Sequence, residues 1–313
     1  MSKSNSAAIL ITMGEPAGIG PEVAVAAYKA LGGMAGAHPL KLIGDPAVFH
    51  DCGFDGEVIA TQAKAVRAPG RGDPQNTAAV TEAIETAVAM ASADGGAVVT
   101  APIHKAVLSE GGFGYPGHTE FLQALTNAPR AVMMLASETL RVVPLTIHMP
   151  VAQVPGVITV DAITETGEII LAALKRDFGI DAPRLAVAGL NPHAGEAGVL
   201  GGEEGAIIEP AVLMLQARGH DVRGPLAADT LFHAEARAGY DAALCMYHDQ
   251  ALIPIKTLSF WDGVNVTLGL PIVRTSPDHG TAFDIAGTGK ADARSMIAAI
   301  RMAAAMADAR ARA

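Results

Sequence analysis

Short apolar runs alternate with segments of helical periodicity along the chain. Unbroken apolar runs of this length predict strands buried on both faces; they lie at 7–13, 39–44, 97–103, 130–137, 140–148, 183–190 and 241–247. Helical spacing is found at 21–31, 75–94, 164–179, 203–219 and from Ala291 onward. This alternation predicts an α/β fold with a mainly parallel sheet, in which the two runs between 130 and 148 pair with each other.

Length, composition and net charge limit the number of domains and the classes of molecule that the protein can bind. The chain has 313 residues, which suits one large domain or two ordinary ones, and no low-complexity linker or repeat interrupts it. Half of it is hydrophobic but only 4% is aromatic, so aliphatic side chains must fill the core. The net charge of −10 without a basic run argues against nucleic acid or an anionic membrane as a general partner. A small anionic substrate remains possible, because a few local cations suffice to bind it.

The cysteines and the apolar runs predict a cytoplasmic protein. Cys52 and Cys245 form no CxxC pair, and Cys245 lies in the apolar run AALCMY, so no disulfide framework is indicated. The first apolar run, of about seven residues, is too short for a signal peptide. No later run approaches the ~18 residues of a membrane-spanning helix.

One histidine occupies an unusual position. In AGLNPHAGE (188–196), His193 lies between Pro192 and Gly195. Proline is excluded from the interior of a helix, and glycine permits a sharp bend, so His193 is expected on a turn. His148 in VVPLTIHMP and His248 in AALCMYHDQ also follow apolar runs. The carboxyl ends of parallel strands meet at one edge of a sheet, where ligands bind.

Three imidazoles at such an edge, with an open coordination position, make a Lewis-acid metal site. The alternative is that each is an ordinary hydrogen-bonded histidine, because their spacing matches no short metal motif. Asp249 and Glu196 are candidates to orient the ligands. His38, His50 and His220 are expected at the surface or in loops, and His233 has no predicted role.

Two glycine-rich loops are candidates for binding anions or nucleotides. GEPAGIGPE (14–22) is expected at a helix N-terminus, as in phosphate-binding loops, or is simply a compact turn. Its spacing is neither that of the dinucleotide motif nor that of a Walker loop. SPDHGTAFDIAGTGKAD (276–292) resembles the HGSAPDIAGKG adenosine-binding element of isopropylmalate and isocitrate dehydrogenases.

Few cations are available for an anionic substrate. Lys256, Asn265 and Arg274 lie close together in sequence, with the two cations expected at strand ends. An arginine fork, a lysine point charge and an amide donor suit a phosphate group, although two surface cations would look the same. In YPGHTEF (115–121), His118 and Thr119 open a predicted helix, and Thr119 either caps it or donates its hydroxyl to a ligand.

Together these segments resemble the 4-hydroxythreonine-4-phosphate dehydrogenase family of pyridoxal phosphate biosynthesis, a relative of the isocitrate and isopropylmalate dehydrogenases. The resemblance covers nearly the whole chain and rests on GEPAGIGPE, TAPIHK, GHTEF, TIHMP, GLNPHAGE, ADTLF, YHDQALIPIK, GVNVTLGLP and RTSPDHGTA. It implies two α/β/α domains, with the active site in the interdomain cleft at a homodimer interface. The expected division is 1–110 plus 257–313 for the nucleotide and 111–256, an insertion, for the metal and dimerisation.

The resemblance also implies a ligand set. One divalent ion (Zn, Mg or Co) is expected on His148, His193 and His248, one of them from the partner subunit. Substrate contacts are expected at His118, Thr119, Lys256, Asn265 and Arg274. NAD or NADP is expected at His279, Gly280, Thr281, Ala282, Asp284 and Gly287.

The implied reaction is NAD(P)-dependent oxidation of the C3 alcohol of 4-phosphohydroxy-L-threonine, followed by decarboxylation. Relatives that oxidise threonate or erythronate 4-phosphate, or a terephthalate-derived cis-diol, are the main alternatives. The sugar-acid relatives tend to replace the Asn of GVN and the run RTSPDHG, and this chain keeps both. A non-catalytic phosphate- or nucleotide-binding protein is the alternative outside the class. Its closed metal site would need a fourth ligand such as Asp229 or Asp249.

Overall fold

The computed structural model describes residues 7–313, which form two compact units. The first contains the chain up to Ala131 together with Val264–Ala311, and the second contains Val132–Gly263 with Arg312–Ala313. The strands are β1 (Ile9–Thr12), β2 (Met34–Ala35), β3 (His38–Gly44), β4 (Val58–Ala60), β5 (Ala97–Thr100), β6 (Val132–Ala136), β7 (Arg141–Pro144), β8 (Arg184–Ala188), β9 (Asp221–Leu226), β10 (Ala242–Cys245), β11 (Val264–Leu268) and β12 (Val273–Pro277). The helices are α1 (Gly20–Ala30), α2 (Pro46–Asp51), α3 (Thr77–Asp94), α4 (Lys105–Glu110), α5 (His118–Thr126), α6 (Val160–Arg176), α7 (Glu209–Ala217), α8 (Ala234–Arg237), α9 (His248–Leu258) and α10 (Arg294–Arg312).

In the first unit the strands are ordered β2-β3-β1-β5-β12-β11, and β4 also pairs with β3. The pairs β1–β3, β1–β5, β5–β12 and β3–β4 are parallel, whereas β2 and β11 run antiparallel to their neighbours. All four residues of β1 are buried, as expected for a strand covered on both faces. The carboxyl ends of β1, β5 and β12 therefore lie at one edge, where the loops after them come together.

In the second unit the order is β6-β7-β10-β8-β9. The pairs β7–β10, β10–β8 and β8–β9 are parallel, and β6–β7 is antiparallel. Apolar residues of these strands and of α9 form a buried cluster that fixes the ends of β7, β8 and β10. The loops that carry the three predicted metal ligands begin at those ends.

Helix ends follow local chemistry. The Thr159 hydroxyl caps α6 by accepting a bond from the Ala162 N–H (3.1 Å), and Lys175 and Arg176 lie in the last turn of the same helix, near its negative dipole end. Helix α3 ends where Gly95 takes a left-handed conformation (φ 72°). Helix α7 is preceded by one π turn (Glu204–Ile208), which leaves Pro210 in its first turn, where it removes no helical bond.

The α/β prediction is confirmed, as are the mainly parallel pairing and the pairing of β6 with β7, which the structure shows to be antiparallel. The units change over at Ala131 and Gly263 rather than near residues 110 and 256. Helix α5 packs against α3 and so stays with the first unit, while α9 packs against β6, β7 and β10 and so stays with the second. No helix within residues 7–313 is both long and apolar enough to cross a membrane.

Candidate functional site

His148 and His248 are neighbours because the segments beyond β7 and β10 are joined. The Leu145 N–H donates to the Cys245 carbonyl (2.8 Å), and the Thr146 hydroxyl donates to the Met246 carbonyl (2.8 Å). His148 lies four residues beyond the end of β7, and His248 opens α9. The two ring centroids are 6.1 Å apart.

The rings of His148 and His248 line a cavity of about 220 Å³. It is lined by Thr146, Ile147, His148, Met149, Val151, Val154, Tyr247, His248 and Asp249. The Asp249 carboxylate lies 2.7 Å from Nδ1 of His248. A carboxylate on Nδ1 orients an imidazole and leaves Nε2 available as a metal ligand. The contact places Asp249 where the sequence analysis expects a residue that orients a ligand.

His193 is not part of this pair. It lies on a turn of left-handed backbone in which His193, Ala194, Gly195, Glu196 and Ala197 all have φ between 43° and 77°. Left-handed backbone costs a residue other than glycine about 1–2 kcal/mol, so this turn must be stabilised by its surroundings. Within residues 7–313 of one chain, no three His, Cys, Asp or Glu side chains form a group that could hold a metal ion. One chain therefore brings two of the three predicted ligands together.

Arg274 is a buried cation on β12, with only 3% of its surface exposed. Its Nη1 donates to the Thr267 hydroxyl (2.9 Å) and its Nη2 to the Thr100 hydroxyl, while Nε has no partner. Among the described residues no carboxylate pairs with it, and burial lowers the pKa of Arg274 to about 9. A buried charge without a counterion is costly, so this position suits an anionic ligand.

Two further predicted substrate residues belong to the same unit. Asn265 pairs with Ser276 across β11 and β12, and Arg274 lies two residues before Ser276, so both predicted contacts share one face of the sheet. The Asn265 Oδ1 and the His118 Nε2 are buried without a partner. Burial, together with the charges of Arg274 and Lys105, holds the pKa of His118 well below its usual value. His118 therefore offers an uncharged imidazole.

Two local predictions, for Lys256 and His38, are wrong, and one of the two alternatives for Thr119 is excluded. Lys256 lies in the last turn of α9 and not at a strand end, because helical structure continues through Pro254. Thr119 does not cap α5, because that helix begins at His118 and Gly117 is its N-cap. His38 is 5% exposed in β3, where it contacts the Ala7 carbonyl (2.7 Å) and Asp308 (3.1 Å), so it is not a surface residue.

The two glycine-rich loops pack on each other. The Ile19 N–H donates to the Thr281 carbonyl (2.9 Å), and a β-carbon at Gly18 would lie 2.7 Å from that same oxygen. Glu22 accepts from the Gly287 N–H (2.7 Å) and from Arg67 (2.5 Å) with the same oxygen. The compact first loop thus supports the 276–292 segment.

The predicted nucleotide segment keeps unsatisfied polar groups. His279 Nδ1 lies 3.0 Å from the Gly280 carbonyl, and its Nε2 is buried without a partner. Ala282 has left-handed backbone (φ 44°), and the Asp284 carboxylate is on an exposed residue. Such a segment can offer a ring nitrogen and a carboxylate to a ligand.

Two buried acids escape sequence reasoning. Glu15 is fully buried with Oε2 unpartnered, and burial raises the pKa of its carboxyl. Glu204, 5% exposed, binds the backbone that leads into the His193 turn. Glu15 lies inside the GEPAGIGPE motif, and that motif could have marked it as a candidate site residue. Glu204 lies in the pair Glu203–Glu204, which belongs to no motif and gives no such indication.

The chain is similar to known proteins along nearly its whole length. Residues 28–303 match the family described as pyridoxal phosphate biosynthetic protein PdxA. The chain is 54% identical to the 4-hydroxythreonine-4-phosphate dehydrogenase of Roseobacter denitrificans, over 96% of this chain and 98% of that one.

The structure is also similar to solved structures of other dehydrogenases. The 4-hydroxythreonine-4-phosphate dehydrogenase of Klebsiella pneumoniae superposes with a TM-score of 0.85 at 36% identity, covering 96% of this chain and 99% of that chain. A terephthalate 1,2-cis-dihydrodiol dehydrogenase from Burkholderia xenovorans gives 0.67 at 27%, covering 96% and 98%. A β-decarboxylating dehydrogenase from Thermococcus kodakarensis gives 0.52 at 17%, covering 96% and 82%, which shows a shared fold.

Proposed function

The chain belongs to the family of the pyridoxal phosphate biosynthetic protein PdxA, and from this premise we propose that it oxidises 4-phosphohydroxy-L-threonine with NAD or NADP. The product is 2-amino-3-oxo-4-(phosphooxy)butanoate, which loses CO₂ to give 3-amino-2-oxopropyl phosphate, a step towards pyridoxine 5′-phosphate. The high identity to relatives with this name, over nearly their full length, supports the proposal.

The buried guanidinium of Arg274 is the observation that carries the substrate assignment. Within residues 7–313 it has two hydroxyl partners and no acid, so its remaining donor capacity and its charge favour a phosphate. Asn265 shares its face of the sheet, and the uncharged His118 adds a polar atom that has no partner among the same residues. We assign the substrate contacts to His118, Thr119, Lys256, Asn265 and Arg274.

The reaction needs two groups that the chain must bind. His279, Gly280, Thr281, Ala282, Asp284 and Gly287 would hold NAD or NADP, which would supply the acceptor for the C3 hydride. His148, His193 and His248 would hold a divalent ion, which would supply Lewis-acid stabilisation of charge at the reacting oxygen. His148 and His248 fit this role, because they share one cavity and Asp249 orients His248.

We infer that the third histidine comes from a second copy of the chain. Large exposed apolar side chains concentrate in the second unit, at Val151, Val157, Val199, Leu200, Leu213, Met214, Ile253, Leu258, Phe260 and Trp261. Exposed apolar surface of this extent is typical of an interface. Val151 lines the cavity of His148 and His248, and Val199 follows the His193 turn, so a homodimer through this surface accounts for both. The two free cysteines suit the reducing cytoplasm, where we place the enzyme.

Coupled NADH formation tests the proposal. The purified protein, supplied with Zn²⁺, Mg²⁺ or Co²⁺, should reduce NAD or NADP in the presence of 4-phosphohydroxy-L-threonine and release CO₂. Threonate and erythronate 4-phosphates and a terephthalate-derived cis-dihydrodiol serve as rival substrates. A higher kcat/KM for one of those rivals would move the assignment to that substrate, and the absence of NAD(P) reduction with all of them would favour a non-catalytic binding protein.

A further inference from the structure

The turn at His193–Ala197 is a run of left-handed backbone in the second unit. Four of its five residues are not glycine, yet all five hold positive φ angles. Side chains other than glycine, asparagine and aspartate rarely adopt this conformation, and then as single residues. The turn therefore persists only because neighbouring groups hold it.

Glu204 provides such a hold just before the turn. Its Oε1 accepts from the Leu190 N–H (2.8 Å) and the Asn191 N–H (2.7 Å), and its Oε2 accepts from the Asn191 side-chain amide (3.0 Å). These donors belong to the two residues that precede Pro192. One carboxylate thus fixes the direction in which the chain enters the turn.

The same carboxylate lies against the turn itself. A β-carbon at Gly195 would lie 2.5 Å from Glu204 Oε2, and a β-carbon at Gly189 would lie 2.9 Å from the Ala194 Cα. Gly195 also has a φ of 77°, so only glycine fits there. The turn is packed between the end of β8 and Glu204, with no room to shift towards either.

The carboxylate is suited to this task by its charge. Burial favours its neutral form, but hydrogen bonds from the side chain and backbone of Asn191 outweigh burial and lower the pKa of Glu204. A charged acceptor binds N–H donors more strongly than a neutral one. Among the residues that the structure describes, the neighbouring Glu203 accepts from the Asn191 side-chain amide (2.8 Å) and not from the backbone N–H groups of Leu190 and Asn191.

We propose that Glu204 is a positioning residue for His193: it holds the left-handed turn that presents this imidazole for metal binding. The inference rests on the proposed metal site at His148, His193 and His248. It adds a residue that no metal-binding motif contains and that does not itself touch the ion.

Metal affinity of the full-length protein tests the inference. The metal-free wild type is titrated with Zn²⁺ or Co²⁺ against a chromophoric chelator, beside Glu204→Ala, Glu204→Gln and the control Glu203→Ala. We expect Glu204→Ala to weaken binding about tenfold or more, as outer residues of metal sites do. Glu204→Gln keeps one oxygen for the two backbone donors and should fall between, and Glu203→Ala should stay within about threefold of wild type.

A second substitution separates positioning from general stability. Ala197 is exposed and has a φ of 53°, so Ala197→Gly eases the turn without removing a buried contact. In the Glu204→Ala background it should recover part of the lost metal affinity. If Glu204→Ala fails to fold, Glu204→Gln carries the comparison with Glu203→Ala.

The outcomes distinguish this inference from the function on which it rests. Wild-type affinity in both Glu204→Ala and Glu204→Gln overturns the inference. Equal affinity in Glu204→Gln and Glu203→Ala overturns it as well, as does a Glu204→Ala defect that Ala197→Gly leaves unchanged. If His193→Ala binds the ion as tightly as the wild type, the proposed metal site itself is wrong.

Discussion

Arg274 gives the first test at the scale of single residues. A charged hydrogen bond left unmade costs about 1.5–3 kcal/mol, or roughly ten- to a hundredfold in binding. We therefore expect Arg274→Ala to raise KM for 4-phosphohydroxy-L-threonine at least about tenfold. KM for NAD should change much less, because the predicted nucleotide segment lies beyond Pro277. Steady-state kinetics with each substrate varied in turn provide the measurement.

Unphosphorylated 4-hydroxythreonine is the control for that variant. If Arg274 binds the phosphate, wild type and variant should be about equally poor with this compound. Arg274→Lys keeps the charge but not the fork and should lie between wild type and alanine. An equal loss on both compounds would instead place Arg274 at the substrate carboxylate or in the fold.

Individual residues were predictable where chemistry and position coincide. The sequence selected Asn265 and Arg274 together, and the structure gives them one face of the sheet. It also selected His148 and His248, which share a cavity. The contacts of Glu204 could not be predicted, because they depend on the path of the backbone between Leu190 and Gly195, and no sequence pattern indicates that path.

At the scale of elements, the packing of the first loop on the predicted nucleotide segment makes a testable claim. One oxygen of Glu22 holds both Arg67 and the Gly287 N–H. Glu22→Gln removes the charge that strengthens both bonds, so the segment around Gly287 should become less ordered. We expect KM for NAD to rise about three- to tenfold, with a much smaller change for the phosphorylated substrate.

Glu82 offers a matched control for this prediction. It also binds the backbone of a loop, through the N–H groups of Gln62 (2.7 Å) and Ala63 (2.9 Å), and neither of these bonds involves the 276–292 segment. Glu82→Gln should leave KM for NAD near the wild-type value. If both variants raise it equally, the effect is general loosening of the first unit.

Elements were predictable where an unbroken apolar run marks them. Strands β1, β5 and β10 are buried at every position and stand out as such runs. No apolar run marks β9, β11 or β12, although β12 is also buried at every position, because DVRGPL, VNVTL and VRTSP mix polar and apolar residues. The predicted strands ran too far at their carboxyl ends, because loops such as LTIHMP keep apolar residues against the cavity of His148.

At the scale of the whole molecule, the metal site that we propose to be shared between subunits would account for the separation of His193 from His148 and His248 within one chain. The α/β fold class was predictable from the alternation of apolar runs and helical periodicity. A discontinuous first unit could be expected only from the family resemblance, since no local pattern joins residues before 131 to those after 263. The surface proposed for dimerisation was harder to predict from the sequence, because its exposed apolar residues are scattered along the chain and form one surface only after folding.

Subunit complementation tests assembly and shared ligands together. Light scattering should first report a dimer of about twice the 31.9 kDa chain. His148→Ala and His193→Ala proteins, each inactive alone, are then mixed at equal amounts after dissociation and reassociation. If one site combines His148 and His248 of one subunit with His193 of the partner subunit, each mixed dimer contains one intact site. Random pairing in a twofold dimer then restores about a quarter of wild-type activity.

The control is a mixture of His148→Ala with His248→Ala, which should restore no activity, because those two ligands come from the same subunit. Recovery in that second mixture, or none in the first, would show that the ligands are divided differently between the chains.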